Sequence, residues 1–419
     1  MSALTSHTSF CSPGLASSIK LDRTLRIGDG SFGNIFSARW KGKAEGKAEG
    51  GKQRIAVKEV NASRLSEKAR RQLQREIELH LETKHRHILS CHGAYFVQED
   101  EDTFLHLVLE RAAGDLGTAL RVGAGPAVAK LAPHLVRQLL CALAHLHDVC
   151  CVVHSDVKPS NVLLALSGEV RLCDLGAAAQ LDGCCAGGRS TLVGSPAYSA
   201  PEVVAIAHLG LEIYGARYSF PADVFSVGVL LVELLTGGAT MPFPSDPSEP
   251  YAQQSAICFR PPHLEPASAF GRPGARSLVL RLLSKQPFLR PTCVEALEEF
   301  GTFFSGDAAA DAAAGGDEAT LVTADACEHT PRLSAAEEAA LRTCLESLAR
   351  GDGDQEDLEA STAPDEPDDF AAEHVLLSPP PPPAPADCAT DSSSACDDAS
   401  PMSLPSWTSS MVDANSPEP

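Results

Sequence analysis

His154-Ser155-Asp156-Val157-Lys158-Pro159-Ser160-Asn161 runs into Val162-Leu163-Leu164, and 18 residues after Asp156 comes Asp174-Leu175-Gly176. Moving a phosphoryl group needs few covalent players: a carboxylate to accept a hydroxyl proton, a cation for phosphate oxygens, and oxygen ligands for Mg2+. Two aspartates, an asparagine and a lysine in this order meet that inventory. Either aspartate alone reads equally well as a turn residue or a helix cap. The joint spacing is what makes the bland reading hard to sustain.

Upstream lies Gly28-Asp29-Gly30-Ser31-Phe32-Gly33, followed by Asn34-Ile35. Glycines at this spacing let a backbone turn approach phosphates without a Cβ clash. The motif sits between two strand-like runs instead of opening a helix. That disfavours a dinucleotide fold and suits a hairpin lid over phosphates. Ala56-Val57-Lys58 follows, with Lys58 placed 25 residues after Gly33. A lysine ending an apolar strand is an ordinary edge residue unless a carboxylate holds its ammonium ready for phosphate oxygens. Glu76 is the expected partner, with Glu78 second, because Leu73 and Ile77 place Glu76 better on the helix.

Thr24–Ile27, Ile35–Arg39 and Arg54–Val60 read as short strands, and Ser66–Leu81 as a helix with Leu73, Ile77 and Leu81 at four-residue spacing. His87–Tyr95 and Phe104–Glu110 return to strand character. After Gly114 the pattern is mainly helical, and Leu131–His147 carries Leu131, Leu135, Leu139, Leu143 and Leu146 on one face. The expectation is an α+β chain: a small β-rich lobe, a larger α-rich lobe, and a ligand cleft between them. The charged, glycine-rich repeat at 41–53 cannot bury a core and reads as a solvated loop extension, a basic docking loop being the alternative.

Taken together, these motifs resemble a eukaryotic protein kinase catalytic domain, from about Leu21 to Phe304, with an N-lobe over 21–113 and a C-lobe over 114–304. The glycine loop, Ala-Val-Lys, the helix glutamate, H-x-D-x-K-x-x-N and D-x-G stand in the family's order. Ala200-Pro201-Glu202, Asp223 with Val227-Gly228, and Arg290-Pro291-Thr292 extend the match. The resemblance implies ATP and Mg2+. Asp156 would deprotonate the substrate hydroxyl and Lys158 would steady the transferring phosphoryl, while Asn161 and Asp174 would bind the metal. Lys58, tethered by Glu76, would hold phosphates. Ile27, Gly28, Gly30, Ser31, Gly33, Ile35, Ala56, Leu109, Glu110 and Leu163 would complete the nucleotide site. Lys158 together with Gly194-Ser195-Pro196 is similar to serine/threonine kinases more than to tyrosine kinases. A catalytically silent kinase-like scaffold is the rival, opposed by the joint survival of Lys58, Asp156, Asn161 and Asp174. A small-molecule kinase on a related fold is opposed by the Ala-Pro-Glu segment.

Several positions depart from the family's pattern. Ser155 stands where an arginine usually separates the histidine from the aspartate, giving the non-RD form His-Ser-Asp. That arginine binds an activation-loop phosphate, so phosphorylation of Ser190 or Thr191 is expected to be dispensable. Leu175 replaces phenylalanine and fills the same internal stack. His80 occupies a usually apolar position in that stack and is expected to be a satisfied core histidine, packing as a neutral ring at some desolvation cost, the alternative being a helix position sensitive to pH or to a partner. Ser160 stands where several kinases that prefer basic substrates carry a glutamate, and Cys173 reads as a small core residue behind the nucleotide cleft.

Charge divides the chain. The formal net charge is −21, yet residues 305–419 hold 25 Asp/Glu against 3 Arg and no Lys, which leaves 1–304 near neutral. An acidic tail opposes nucleic-acid binding through bulk charge. Residues 305–419, rich in Ala, Asp, Ser and Pro, are expected to be disordered. An amphipathic helix over 334–350 is the exception, opened by the Ser334/Glu337 capping box. Its apolar face leaves docking on the catalytic body, docking on a partner, or neither, equally open. Ser378, Ser400 and Ser416 each precede a proline and are candidate sites for proline-directed kinases. Residues 1–20 read as a flexible N-terminus. The 14 cysteines form no metal pattern, no leader is visible, and Val224–Leu235 is too short to span a bilayer. Protein substrates, a regulatory partner reached through the tail, and a cytoplasmic or nuclear location are the remaining expectations.

Overall fold

The computed structural model describes residues 14–30, 33–41, 54–181, 194–209, 217–244, 251–271, 274–304 and 332–351. All of them fall within one unit, Met1–Ser361. Five strands, β1 (Ile19–Gly30), β2 (Gly33–Trp40), β3 (Arg54–Asn61), β4 (Cys91–Glu99) and β5 (Asp102–Glu110), form an antiparallel sheet in the order β1-β2-β3-β5-β4. Strand alternation explains both its faces. Ile55 and Val57 of β3 are buried with Ala38, Tyr95 and Val108 on one side. Ala56 and Val60 point the other way, into a cluster with Leu73 and Ile77 of helix α1 (Glu67–Glu82). Lys58 therefore shares the α1 side of the sheet. Ser66 caps α1 by accepting the Ala69 N–H at 3.2 Å, as its position before the periodic run predicts.

Two expectations for this lobe are corrected. Residues 14–20 are not loose: Leu15–Ser18 form one helical turn, β1 begins at Ile19, and Leu15 and Ile19 are buried in the outer core of the sheet. Nor is His87–Tyr95 all strand. β4 starts at Cys91, because the backbone of His87 and Leu89 is satisfied elsewhere: His87 O accepts from Leu172 N at 2.8 Å, and Leu89 N donates to Leu172 O at 2.9 Å.

Below the sheet, β6 (Ala112–Asp115) leads to helix α2 (Gly125–Ala144), which buries Leu131, Leu135, Leu139 and Leu143. Strands β7 (Val152–Val153), β8 (Val162–Ala165), β9 (Val170–Leu172) and β10 (Ala179–Gln180) follow; β6, β8 and β9 make a three-stranded sheet, and β7 pairs with β10. Helices α3 (Pro201–Leu209), α4 (Pro221–Leu235), α5 (Ala252–Phe259), α6 (Ala275–Leu282) and α7 (Cys293–Phe304) complete the lobe. One helical run among the described residues, Leu116–Val149, is long and apolar enough to cross a membrane, but 78% of its apolar window is buried inside the protein. It is the core of this lobe, packed on α4 and α7.

Helix α8 (Ala335–Gly351) matches the expected 334–350 segment, and it lies against α2 and β6. Ser31, the repeat within 42–53, Ser190, Thr191, and the tail segments 305–331 and 352–419 with Ser378, Ser400 and Ser416 lie outside the described residues.

Candidate active site

The upper half of the cleft is built on β3 and α1. Lys58 Nζ donates to Glu76 Oε1 at 2.7 Å, and both side chains are buried. Burial disfavours the ammonium, but the Glu76 and Asp174 carboxylates outweigh it and hold the Lys58 pKa above the ordinary lysine value. His80 lies one turn further along α1. Burial, reinforced by the Lys58 charge, lowers its pKa to about 4, and neither ring nitrogen finds a partner among the described residues. The imidazole therefore packs neutral, but not as the satisfied core histidine expected. Gln72 of α1 reaches across to donate to Gly176 O at 2.8 Å. Sequence reasoning missed this tie, because a half-buried helix glutamine carries no signal of its partner.

The β1–β2 hairpin pairs Gly28 with Ile35 and Gly30 with Gly33. Gly33 also makes a close approach within the sheet, since a Cβ there would collide with Glu59 O of the β3 backbone. Ile27, Ile35, Leu163 and Cys173 gather partly buried around Ala56 and Leu109, making one apolar cluster from both lobes. Apolar surroundings and the nearby Asp174 carboxylate push the Cys173 thiol well above its usual pKa. The Glu110 side chain turns away from this cluster, and both its oxygens take the Arg171 Nε–H at 3.0 Å.

The lower half is a hydrogen-bonded frame. Asp223 of α4 accepts the His154 and Ser155 N–H groups, both at 2.8 Å, and its Oδ2 also meets His147 Nε2 at 2.8 Å. Burial opposes the Asp223 charge, yet these partners keep its pKa below the ordinary value. So anchored, Ser155 takes a left-handed φ of 68° and Asp174 one of 63°. Such conformations cost about 1–3 kcal/mol each in non-glycine residues and persist where surroundings over-determine them. His154 Nε2 lies 3.1 Å from Cys173 O, joining this loop to the residue before Asp174.

Asp156 is fully engaged. Its Oδ1 accepts the Ser195 N–H at 2.9 Å, while Oδ2 accepts from Asn161 Nδ2 at 2.9 Å and lies 3.1 Å from Lys158 Nζ. Lys158 Nζ also donates to Ser195 Oγ at 2.7 Å. Gly194 permits this approach, for a Cβ there would sit 2.3 Å from Ser155 O. Ser195 thus joins the site, although the sequence marked it only as part of Gly194-Ser195-Pro196. Both Asn161 amide hydrogens serve Asp156, one on its carbonyl at 2.8 Å, so the Asn161 oxygen is turned from that pair. Asp174 Oδ1 accepts the Gly176 N–H at 3.2 Å. An amide oxygen and a carboxylate are the hard oxygen donors that Mg2+ selects, so these residues fit that ion. Further down, Arg290 grips Glu202 through two bonds of 2.6 and 2.7 Å. Beside Lys158 opens a cavity of about 340 Å³, lined by Ser160, Arg121, Tyr198 and Glu233 among others.

A family model described as the protein kinase domain matches residues 21–300. The chain belongs to the protein kinase family. Among curated relatives, it is 32% identical over 266 residues to an Aurora kinase of Patiria pectinifera, an alignment covering 62% of this chain and 57% of that one. It is 30% identical to an Aurora kinase of Schizosaccharomyces pombe, with 62% and 65% covered. A serine/threonine-protein kinase of Arabidopsis thaliana, PEPKR2, is 30% identical, with 64% and 53% covered. This kinase therefore spans between about half and just under two thirds of the length of those relatives. Its β-sheet lobe, helical lobe and cleft are the expected two-lobed kinase fold.

Proposed function

We propose that this kinase is a serine/threonine protein kinase that transfers the γ-phosphoryl group of ATP to protein hydroxyls. One observation carries the reading: Asp156, Asn161, Lys158 and Ser195 form a continuous hydrogen-bonded unit, while Lys58 is closed on Glu76 with the Asp174 carboxylate nearby. In this reading Lys58 binds phosphate oxygens of the nucleotide, and the cluster of Ile27, Ile35, Ala56, Leu109 and Leu163 takes the adenine beside the Glu110 backbone, with the Gly28, Gly30, Ser31 and Gly33 hairpin above. Mg2+, held by Asn161 and Asp174, would neutralise phosphate charge. Asp156 orients the substrate hydroxyl and accepts its proton as the new O–P bond forms and the bond to ADP breaks. Lys158 screens the charge on the moving group, and Ser195 keeps Lys158 and Asp156 in register.

The cavity beside Lys158 is suited to a residue flanking the phosphorylated hydroxyl of a polypeptide, which favours protein substrates over small molecules. Ser155 carries no charge that an activation-segment phosphate could neutralise, so activity is expected to survive replacement of Ser190 and Thr191 by alanine. The described cysteines are all free thiols, which suits a reducing cytoplasmic or nuclear setting.

The test is transfer of labelled phosphate from ATP to a serine/threonine peptide library by wild type and by Asp156→Asn. Loss of a general base is expected to cost about 10²–10⁴ in rate. Nucleotide binding without labelling by wild type would leave a silent scaffold, and equal labelling by both proteins would remove Asp156 from its role.

A further inference from the structure

Helix α8 is fitted to the catalytic body by more than a generic apolar stripe. Ala340, Cys344 and Leu348 are buried at four-residue spacing, Leu341 and Leu345 flank them half-buried, and Arg342, Thr343 and Glu346 face outward. The capping box closes as expected, with Ser334 N donating to Glu337 Oε2 at 2.8 Å and Glu337 N to Ser334 Oγ at 3.3 Å. Two glycines of the body receive the two outer leucines. At Gly114 of β6, a Cβ would stand 2.8 Å from Leu348 Cδ2, and the three nearest atoms all belong to Leu348. At Gly168, in the turn between β8 and β9, a Cβ would stand 2.4 Å from Leu341 Cδ2. A Cβ at either point would meet the terminal methyl groups of the facing leucine, which would have to leave that seat.

Those two points grip the β6-β8-β9 sheet at its edge strand and at its turn. Gly114 pairs with Leu164, and the next residue, Asp115, pairs with Leu163, which belongs to the apolar cluster assigned above to adenine. β9 runs directly into Cys173 and Asp174, and Cys173 N donates to Asn161 O at 2.9 Å. The sheet that α8 holds is thus the floor of the cleft, and it leads to both oxygen donors proposed for the metal.

We infer that α8 is a built-in brace of the nucleotide site, with Leu348 and Leu341 as positioning residues. Docking of the helix fixes the β6-β8-β9 floor, and a bound nucleotide in turn holds the helix down. This rests on the nucleotide-binding reading of the cleft. By linkage, whatever factor the docked helix adds to nucleotide affinity, the nucleotide must add to helix docking.

Cys344 is a native reporter, because it is fully buried on the inner face of α8 and becomes alkylable only when the helix lifts. The experiment uses the full chain, with Mg·ADP as the probe. Iodoacetamide labelling of Cys344 is followed by peptide mass spectrometry, with and without saturating Mg·ADP. Cys258, whose Sγ lies 3.8 Å from Pro201 O, serves as internal reference. Calorimetry of Mg·ADP is run on wild type, Leu348→Asp, Leu348→Met and Gly114→Ala.

The brace predicts that Mg·ADP slows Cys344 labelling about 10-fold and leaves Cys258 unchanged. Leu348→Asp should weaken Mg·ADP by a similar factor and raise KM for ATP more than it lowers kcat, Gly114→Ala should shift both in the same direction by less, and Leu348→Met should restore wild-type affinity. The labelling arm needs no variant to fold. If wild type binds Mg·ADP and Cys344 labelling does not change, the brace is wrong and the nucleotide reading stands. If wild type binds no Mg·ADP, the nucleotide reading fails and the brace goes with it.

Discussion

The two halves of the cleft are held by different physics. Below, Asp223, His154, Ser155, Asp156, Lys158, Asn161 and Ser195 form a frame in which both oxygens of each aspartate are bonded. Above, Lys58 and Glu76 make one ion pair inside apolar packing, Glu76 Oε2 and both His80 nitrogens lack partners among the described residues, and Gln72 ties α1 to the lower half. The lower frame is over-determined, so losing one bond loosens it slightly unless the bond is the hub. The upper half has no such redundancy. It is the half in which position is cheap to change.

The hub gives the largest expected effect. Asp223→Ala leaves a buried His147 and two loop N–H groups without their acceptor. Breaking a buried charged pair from one side costs about 3–5 kcal/mol, so urea denaturation should show a loss in that range. A loss below 1 kcal/mol would mean the frame is not organised by Asp223.

Next comes acid sensitivity of the upper half. His80 has a folded pKa of about 4 against an unfolded value near 6.5, so the unfolded chain binds the proton first. Its contribution is complete above the unfolded value and is lost as pH falls through this window, by about 3 kcal/mol from His80 alone. His85 and His87 are displaced in the same direction and will preserve part of the slope. Stability of His80→Leu measured between pH 7 and 4 should fall less steeply than that of wild type. Parallel curves would remove His80 from the titration.

A smaller effect is expected for Glu76→Gln, because Asp174 remains near the Lys58 ammonium and keeps it from being wholly uncompensated. We expect about 2 kcal/mol in denaturation, under the usual cost of opening a buried pair, together with weaker ATP binding. An unchanged KM for ATP would count against Lys58 as a phosphate ligand. Smallest of all is Ser195→Ala, which removes one neutral acceptor from Lys158 while Asp156 stays in place. About 1 kcal/mol in thermal denaturation is expected, with Ser195→Thr close to wild type. A loss as large as that of Asp223→Ala would contradict the redundancy of the lower frame.

The two halves also differed in how far sequence reasoning could see. Spacing singles out Asp156, Asn161 and Asp174, of which Asp156 and Asn161 are hydrogen-bonded to each other, and helix periodicity favours Glu76 over Glu78, which is the carboxylate that Lys58 meets. What stayed hidden were contacts with no local signature. Ser195 lies 37 residues from Lys158, and nothing in Gly-Ser-Pro says which lysine its hydroxyl will meet. His87–Ser90 has strand composition, but His87 O and Leu89 N are taken by Leu172 of the other lobe. Leu15 and Ile19 lie in a Ser-rich stretch whose polarity masks two anchors. For α8, the capping box and leucine spacing set the element and its face, yet an apolar stripe says only that something will be covered. Gly114 held the missing half of that information, legible only once Leu348 stood beside it.

Cys173 carries a practical consequence for chemical probes of the cleft. Its sulfur sits at the back wall among Ala56, Leu109 and Leu163, so an inhibitor warhead could be aimed at it by shape alone. Yet its surroundings suppress the thiolate, the only form that attacks an electrophile readily. Selective reagents for this cleft would therefore do better to exploit the contour of that wall than to count on bonding to it.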